Sequence, residues 1–116
     1  GPHAGLRWSG PTAAWAYKNI HAGCKAKTKR VFLLGPAHKS PVDGAALSHS
    51  HEWETPIGNL VVDREVTELL AKSKHFTYYT LEEEEAEHSL EMHIPYIKKV
   101  FKDSDIKLVP IVVGSV

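Results

Sequence analysis

Apolar residues fall along the chain in short blocks separated by polar turns, and two periods alternate among them. Val31-Phe32-Leu33-Leu34 is a continuous apolar run closed by Gly35-Pro36. Such a run predicts a strand buried on both faces, as in a parallel sheet. Ala45 to Thr55 alternates more loosely around Trp53 and predicts an extended segment. Thr55-Pro56-Ile57-Gly58-Asn59 turns the chain toward a short strand at Leu60 to Val62, and Phe76 to Tyr79 and Lys107 to Val113 are further predicted strands. Helical spacing lies between them. Ser9-Gly10-Pro11 announces a helix through Ala13, Trp15 and Tyr17 to about Ala22, where Gly23 can stop it. Asp63 is an N-cap for a helix from Arg64 to Ser73, with Val66, Leu69 and Leu70 at i, i+3 and i+4. A third helix is predicted from His88 to Lys102, with Leu90, Ile94, Ile97 and Phe101 in one apolar stripe and Pro95 as a kink. The acidic run Glu82 to Glu85 is expected to face solvent, and the basic stretch Lys25 to Arg30 reads as a solvated helix exit. Buried strands alternating with amphipathic helices predict an α/β fold: a largely parallel or mixed sheet flanked by helices.

Composition narrows the function classes. The 116 residues carry 14 Lys+Arg against 14 Asp+Glu, a balance that argues against a nucleic-acid-binding module. No apolar run approaches the ~18 residues of a membrane span, and no signal peptide pattern is visible. A lone Cys24 cannot form an internal disulfide, which favours a reducing, cytoplasmic setting. Histidine is the departure: there are eight, enough to make a metal or acid–base site the first question.

Two of the eight have the address of a site, because open α/β sheets carry their sites beyond the carboxyl ends of strands. His38 follows the first apolar run in Gly35-Pro36-Ala37-His38, and His3 stands ahead of a helix in Pro2-His3-Ala4-Gly5. Two imidazoles suit zinc, copper, iron or nickel and cannot choose among them; residue type alone also allows both to be ordinary loop histidines. In Glu87-His88-Ser89-Leu90-Glu91-Met92-His93, the spacing makes His88 and Glu91 neighbours on one helix face, a pair able to bind metal, relay protons or simply meet at the surface. His93 falls beside the apolar stripe and reads as structural. His49 and His51 would share a strand face, and His21 and His75 sit at element ends. No His-Glu-x-x-His, no Gly-x-Ser-x-Gly elbow and no phosphate-cradling glycine loop occurs. Trp8, Trp15 and Trp53 are expected in the core or in pocket walls.

These motifs, with Thr55-Pro56-Ile57-Gly58, Ile94-Pro95-Tyr96 and Val109-Pro110-Ile111-Val112-Val113-Gly114, stand in an order and spacing that resemble the Memo family, mediators of cell motility downstream of a receptor tyrosine kinase. The resemblance covers essentially the whole chain and implies the fold of class III extradiol dioxygenases, which are non-haem iron enzymes. It implies metal ligation by His3 and His38, a pocket that includes Gly35, Pro36 and Glu87, and His88 with Glu91 as catalytic or substrate-positioning groups. The implied cofactor is a non-haem transition metal, iron or copper first and zinc as a further candidate. The implied function is metal binding linked to redox chemistry and cell signalling, in the cytoplasm and, secondarily, the nucleus. Two rivals stand beside it: an adaptor for phosphotyrosine-containing receptor peptides without catalysis, and a true extradiol-type dioxygenase with a small-molecule substrate. Leu6 departs from the aromatic residue usual after Pro-His-Ala-Gly. The family's chain is longer, so residues 1–116 are expected to form part of one α/β domain, truncated at both ends. The strand before His3, a further metal ligand and the base are expected outside it, leaving this stretch poorly stable and inactive alone.

Overall fold

The computed structural model describes residues 1, 3–20 and 22–114. His21, with Pro2 of the Pro-His-Ala-Gly motif, lies outside the described residues. The elements run α1 (Leu6–Tyr17), α2 (Ala22–Lys27), β1 (Arg30–Pro36), β2 (Ala45–Leu47), β3 (Glu52–Thr55), β4 (Gly58–Val62), α3 (Arg64–Ala71), β5 (Phe76–Tyr78), α4 (Leu81–Ala86), α5 (Ile94–Val100) and β6 (Lys107–Val113). The result is the expected α/β architecture, a mixed sheet flanked by helices.

The six strands form one sheet in the order β3-β4-β6-β2-β5, with β1 against the other side of β6. β1 and β6 are parallel along their full length, Arg30 opposite Lys107 through Pro36 opposite Val113. β4 with β6 and β2 with β5 are also parallel, whereas β3 with β4 and β2 with β6 are antiparallel. β6 is therefore the spine of the sheet. Gly58, at φ 128, makes the tight β3–β4 connection, a backbone conformation that side-chain-bearing residues rarely adopt.

One face of the sheet carries the main core. Leu33, Ala46, Leu60, Leu108 and Val112 meet the stripe Leu90, Ile94, Ile97 and Phe101, all buried. The other face is smaller: Leu47, Val109 and Ile111 lie under Val66, Leu70 and Ala71 of α3. That second cover does not extend over β1. Phe32 and Leu34 are 54% and 57% exposed, so the run expected to be buried on both faces is buried on one. Leu69, read as a core position of α3, is likewise exposed, and Thr67 is buried in its place.

Several boundaries move for identifiable reasons. α1 begins at Leu6 because the Gly5 carbonyl accepts from the Trp8 and Ser9 N–H groups, which leaves Pro11 inside the helix and not at its start. The basic stretch begins inside α2, with Lys25 and Lys27 in that helix's last turn, where cations suit the helix dipole. The acidic run is helical too: Thr80 and Glu83 form a reciprocal capping box, and acidic residues fill the first turn. Residues 89–93 are a turn, and helix begins only at Ile94, so Pro95 is a first-turn proline that needs no N–H, not a kink. The extended segment divides into β2 and β3, leaving His49 and His51 in the break between them. Trp8 and Trp15 are 73% and 66% exposed, under Arg7 and Lys18 respectively, and only Trp53 has the expected wall position.

Candidate metal centre

The parallel β1–β6 pair ends in a loop whose first bond runs from the Ala37 N–H to the Val113 carbonyl, 3.0 Å. This carries His38 to the carboxyl edge of the sheet. There the turn that opens at Glu87 comes up beside it. The Ser89 hydroxyl donates to the Pro36 carbonyl at 2.9 Å, stitching that turn to the end of β1. Gly35 permits the approach: a Cβ there would stand 2.8 Å from both Leu90 Cδ2 and Ser89 Oγ.

Glu87 organises the junction. Its side chain is 3% exposed and accepts from the His38 backbone N–H, from His38 Nδ1 at 2.8 Å, and from the His88 and Ser89 N–H groups at 2.9 and 3.0 Å. Burial alone would raise this carboxyl. The N–H groups of Ser89 and His38, the His38 ring and the His88 N–H outweigh it and bring the pKa down to about 2. An ionised Glu87 can only accept, so His38 Nδ1 is the donor and its Nε2 presents a lone pair outward.

His3 reaches this edge from the segment ahead of α1. Ser9 Oγ donates to the Ala4 carbonyl at 2.7 Å, and Tyr96 Oη donates to the Gly10 carbonyl at 2.9 Å, tying that segment and α1 to the α5 layer. Tyr17 stacks on Tyr96 with centroids 5.0 Å apart and shares a 3.1 Å hydrogen bond with His93 Nδ1. Burial lowers the His93 pKa and keeps that ring neutral, in keeping with a structural histidine.

Three imidazoles converge as a result. The ring centroids of His38 and His88 are 4.3 Å apart, those of His3 and His38 5.1 Å, and those of His3 and His88 5.8 Å. One ring nitrogen from each can be chosen so that all lie within 4.8 Å of one another. Ligands at zinc- or iron-like bond lengths on one tetrahedral ion stand about 3.3 Å apart, a difference that ring rotations at these partly exposed positions can close. The donor set, three imidazole nitrogens with one ring oriented by a buried carboxylate, fits a borderline transition metal.

Comparison with known proteins agrees with the motifs. The family model for Memo-like protein matches residues 1–116, the whole chain. The chain belongs to the Memo family. Among its relatives, the memo-1 homolog of Caenorhabditis elegans is 40% identical over 114 residues, covering 98% of this chain and 32% of that protein. MEMO1 of Danio rerio is 39% identical and MEMO1 of Homo sapiens 36%, each over 116 residues that make up 38% of the relative's length. The chain thus spans 32% to 38% of the length of these curated relatives.

Within this Memo-family chain, the structure brings together His3, His38, His88, Glu87, Gly35 and Pro36. Glu91 stands apart: it is exposed, has no hydrogen bond or ion pair to His88, and lines a neighbouring groove with Glu87. Their expected pairing on one helix face fails because residues 89–93 are a turn. His49 stacks on Tyr78 at 3.9 Å, and His75 is exposed. Sequence reasoning missed a polar network in which Ser48 Oγ and Ser50 Oγ donate to Glu84, at 2.7 and 3.2 Å, and Trp53 Nε1 donates to Ser48 Oγ at 3.3 Å. No local spacing signals contacts that span more than thirty positions.

Proposed function

We propose that this Memo-family chain supplies the imidazole part of a non-haem transition-metal centre, with iron or copper as the favoured ion and zinc also compatible. The whole protein would be a cytoplasmic metal-binding protein linked to redox chemistry and to signalling in cell motility. The observation that carries this reading is the three-imidazole cluster with Glu87 behind it. His3, His38 and His88 would hold the ion; when bound, iron or copper supplies one-electron redox chemistry and a Lewis-acid position. The protein's own part is orientation. Glu87 fixes the His38 tautomer and ring plane, the Ser89–Pro36 bond holds the turn that carries His88, and Gly35 and Pro36 shape the floor.

The phosphotyrosine-peptide reading has less support, because the groove beside the cluster is walled by glutamates that would repel a phosphate dianion. Metal analysis and titration with ferrous and cupric ions would test the proposal. Stoichiometric binding lost in His3→Ala and in His38→Ala is the expected result; binding unchanged in both would sink it. Oxygen uptake with catechols, abolished by the same substitutions, would extend the reading to an extradiol-type enzyme.

A further inference from the structure

Between β3 and α4 lies an open groove of about 520 Å³ whose walls include Glu52, Glu54, Glu84, Glu85, Glu87 and Glu91. Among the described residues no lysine, arginine or histidine lines it. Its apolar lining is Trp53, Ile94 and Leu81, the last of which is 63% exposed. A small recess of about 10 Å³ shares Trp53, Glu84 and Glu87 with this groove, and Ser48 and Tyr79 complete its polar lining. That volume suits one water-sized group. The Tyr79 residue is only 4% exposed, and its hydroxyl has no hydrogen-bond partner among the described residues. A buried hydroxyl without a partner is costly unless something completes it.

We infer that the groove binds a primary ammonium group carried on an alkyl chain. The –NH₃⁺ is about the size of a water, offers three donors and no acceptor, and meets the Tyr79 hydroxyl oxygen and the Glu84 carboxylate in the recess. The methylenes lie along Trp53 and Leu81, where an indole face favours a cation. A planar guanidinium is too wide for a recess of this volume. The groove and recess share Glu87 with the metal centre. Among the described residues, however, Glu84, Trp53 and Tyr79 have no hydrogen bond or ring contact with His3, His38 or His88, so substitutions at Glu84 and Tyr79 test this inference apart from the metal reading.

The shared chemistry could come from a free amine or from a lysine side chain, and calorimetric titration of the protein separates them. The probes are n-butylamine, a short blocked peptide with one central lysine, and the same peptide with arginine or Nε-acetyl-lysine in its place. Tighter binding of the lysine peptide than of butylamine assigns a peptide ligand, and the reverse order assigns a free amine; either supports the site. The arginine and acetylated peptides are expected to bind at least tenfold more weakly than the lysine peptide. Glu84→Gln and Tyr79→Phe are each expected to weaken amine binding about tenfold, with circular dichroism unchanged. No binding of either amine, equal binding of the lysine and arginine peptides, or an unaltered affinity in both variants would overturn the inference. The last result would mean that the recess holds a water only.

Discussion

Two groups of histidines in this chain differ in what surrounds them, and the pair nearest in sequence is not the group whose rings converge. His49 and His51 are two positions apart, yet they fall in the break between β2 and β3, and His49 simply lies on the ring of Tyr78. His3, His38 and His88 are separated by 35 and 50 positions, yet their rings converge at the sheet edge. The difference lies behind the rings. His38 has a buried carboxylate on its Nδ1, and the turn that supplies the carboxylate also supplies His88. Nearness in sequence puts two imidazoles close together; only a supporting shell fixes the direction of their lone pairs.

The comparison can be broken most decisively by metal titration. His38→Ala or His88→Ala is expected to reduce affinity for a divalent transition metal by 100-fold or more, by the ~10–100-fold expected even of a supporting residue, whereas His49→Ala and His51→Ala should leave it unchanged. Equal losses from the two groups, measured by isothermal titration, would erase the distinction drawn here. Glu87→Gln comes next. It keeps the volume but removes the charge that four donors share, so metal affinity should fall roughly 10–100-fold, and the urea midpoint should drop as well.

The pH dependence sharpens the same point. The Glu87 pKa is about 2 in the folded chain, below its ordinary value of 4.5, so the unfolded chain binds the proton more tightly. Its contribution to stability is then complete above about pH 4.5 and lost as pH falls from there toward 2. Asp63, an N-cap bonded to Arg30 at 2.7 Å, has its pKa lowered as well and acts in the same direction. Urea midpoints measured between pH 6 and pH 2.5 should therefore decline, and less steeply in Glu87→Gln; a parallel decline in the variant would refute the assignment. Gly35→Ala tests the approach of the Ser89–Leu90 turn to β1. Its Cβ would stand 2.8 Å from two side-chain atoms, and overpacking of this kind costs about 1–3 kcal/mol. The smallest effect belongs to Thr80→Ala, at the start of α4; Thr80 has no hydrogen bond to His3, His38 or His88. Loss of its capping box should cost about 1 kcal/mol in thermal or urea unfolding, with metal affinity untouched.

What could be read in advance follows from the range of the forces involved. The stripe Leu90, Ile94, Ile97 and Phe101 is fully buried as its spacing implies, even though its first residue lies in a turn and not in a helix. Asp63 caps α3 as residue type predicts, because a cap is a contact across three positions. β1 was legible as a strand but not as one with an open face, since that depends on whether α3 reaches over it. The fate of the acidic run shows the same limit. Four glutamates look alike in sequence, and only the fold turns Glu84 toward Ser48 and Ser50.

The amino-acid sequence by itself determined the α/β class, most of the strands, the motifs that place the chain in its family, and the choice of His3 and His38 as the histidines to watch. These follow from periodicity and local chemistry, which act over a few residues. Only the tertiary structure decided that His88 and not Glu91 joins them, that Glu87 is the buried anchor, and that an acidic groove with an unsatisfied tyrosine lies alongside. A carboxylate takes its role from the donors that reach it, and here two of the four come from a loop forty-nine positions away.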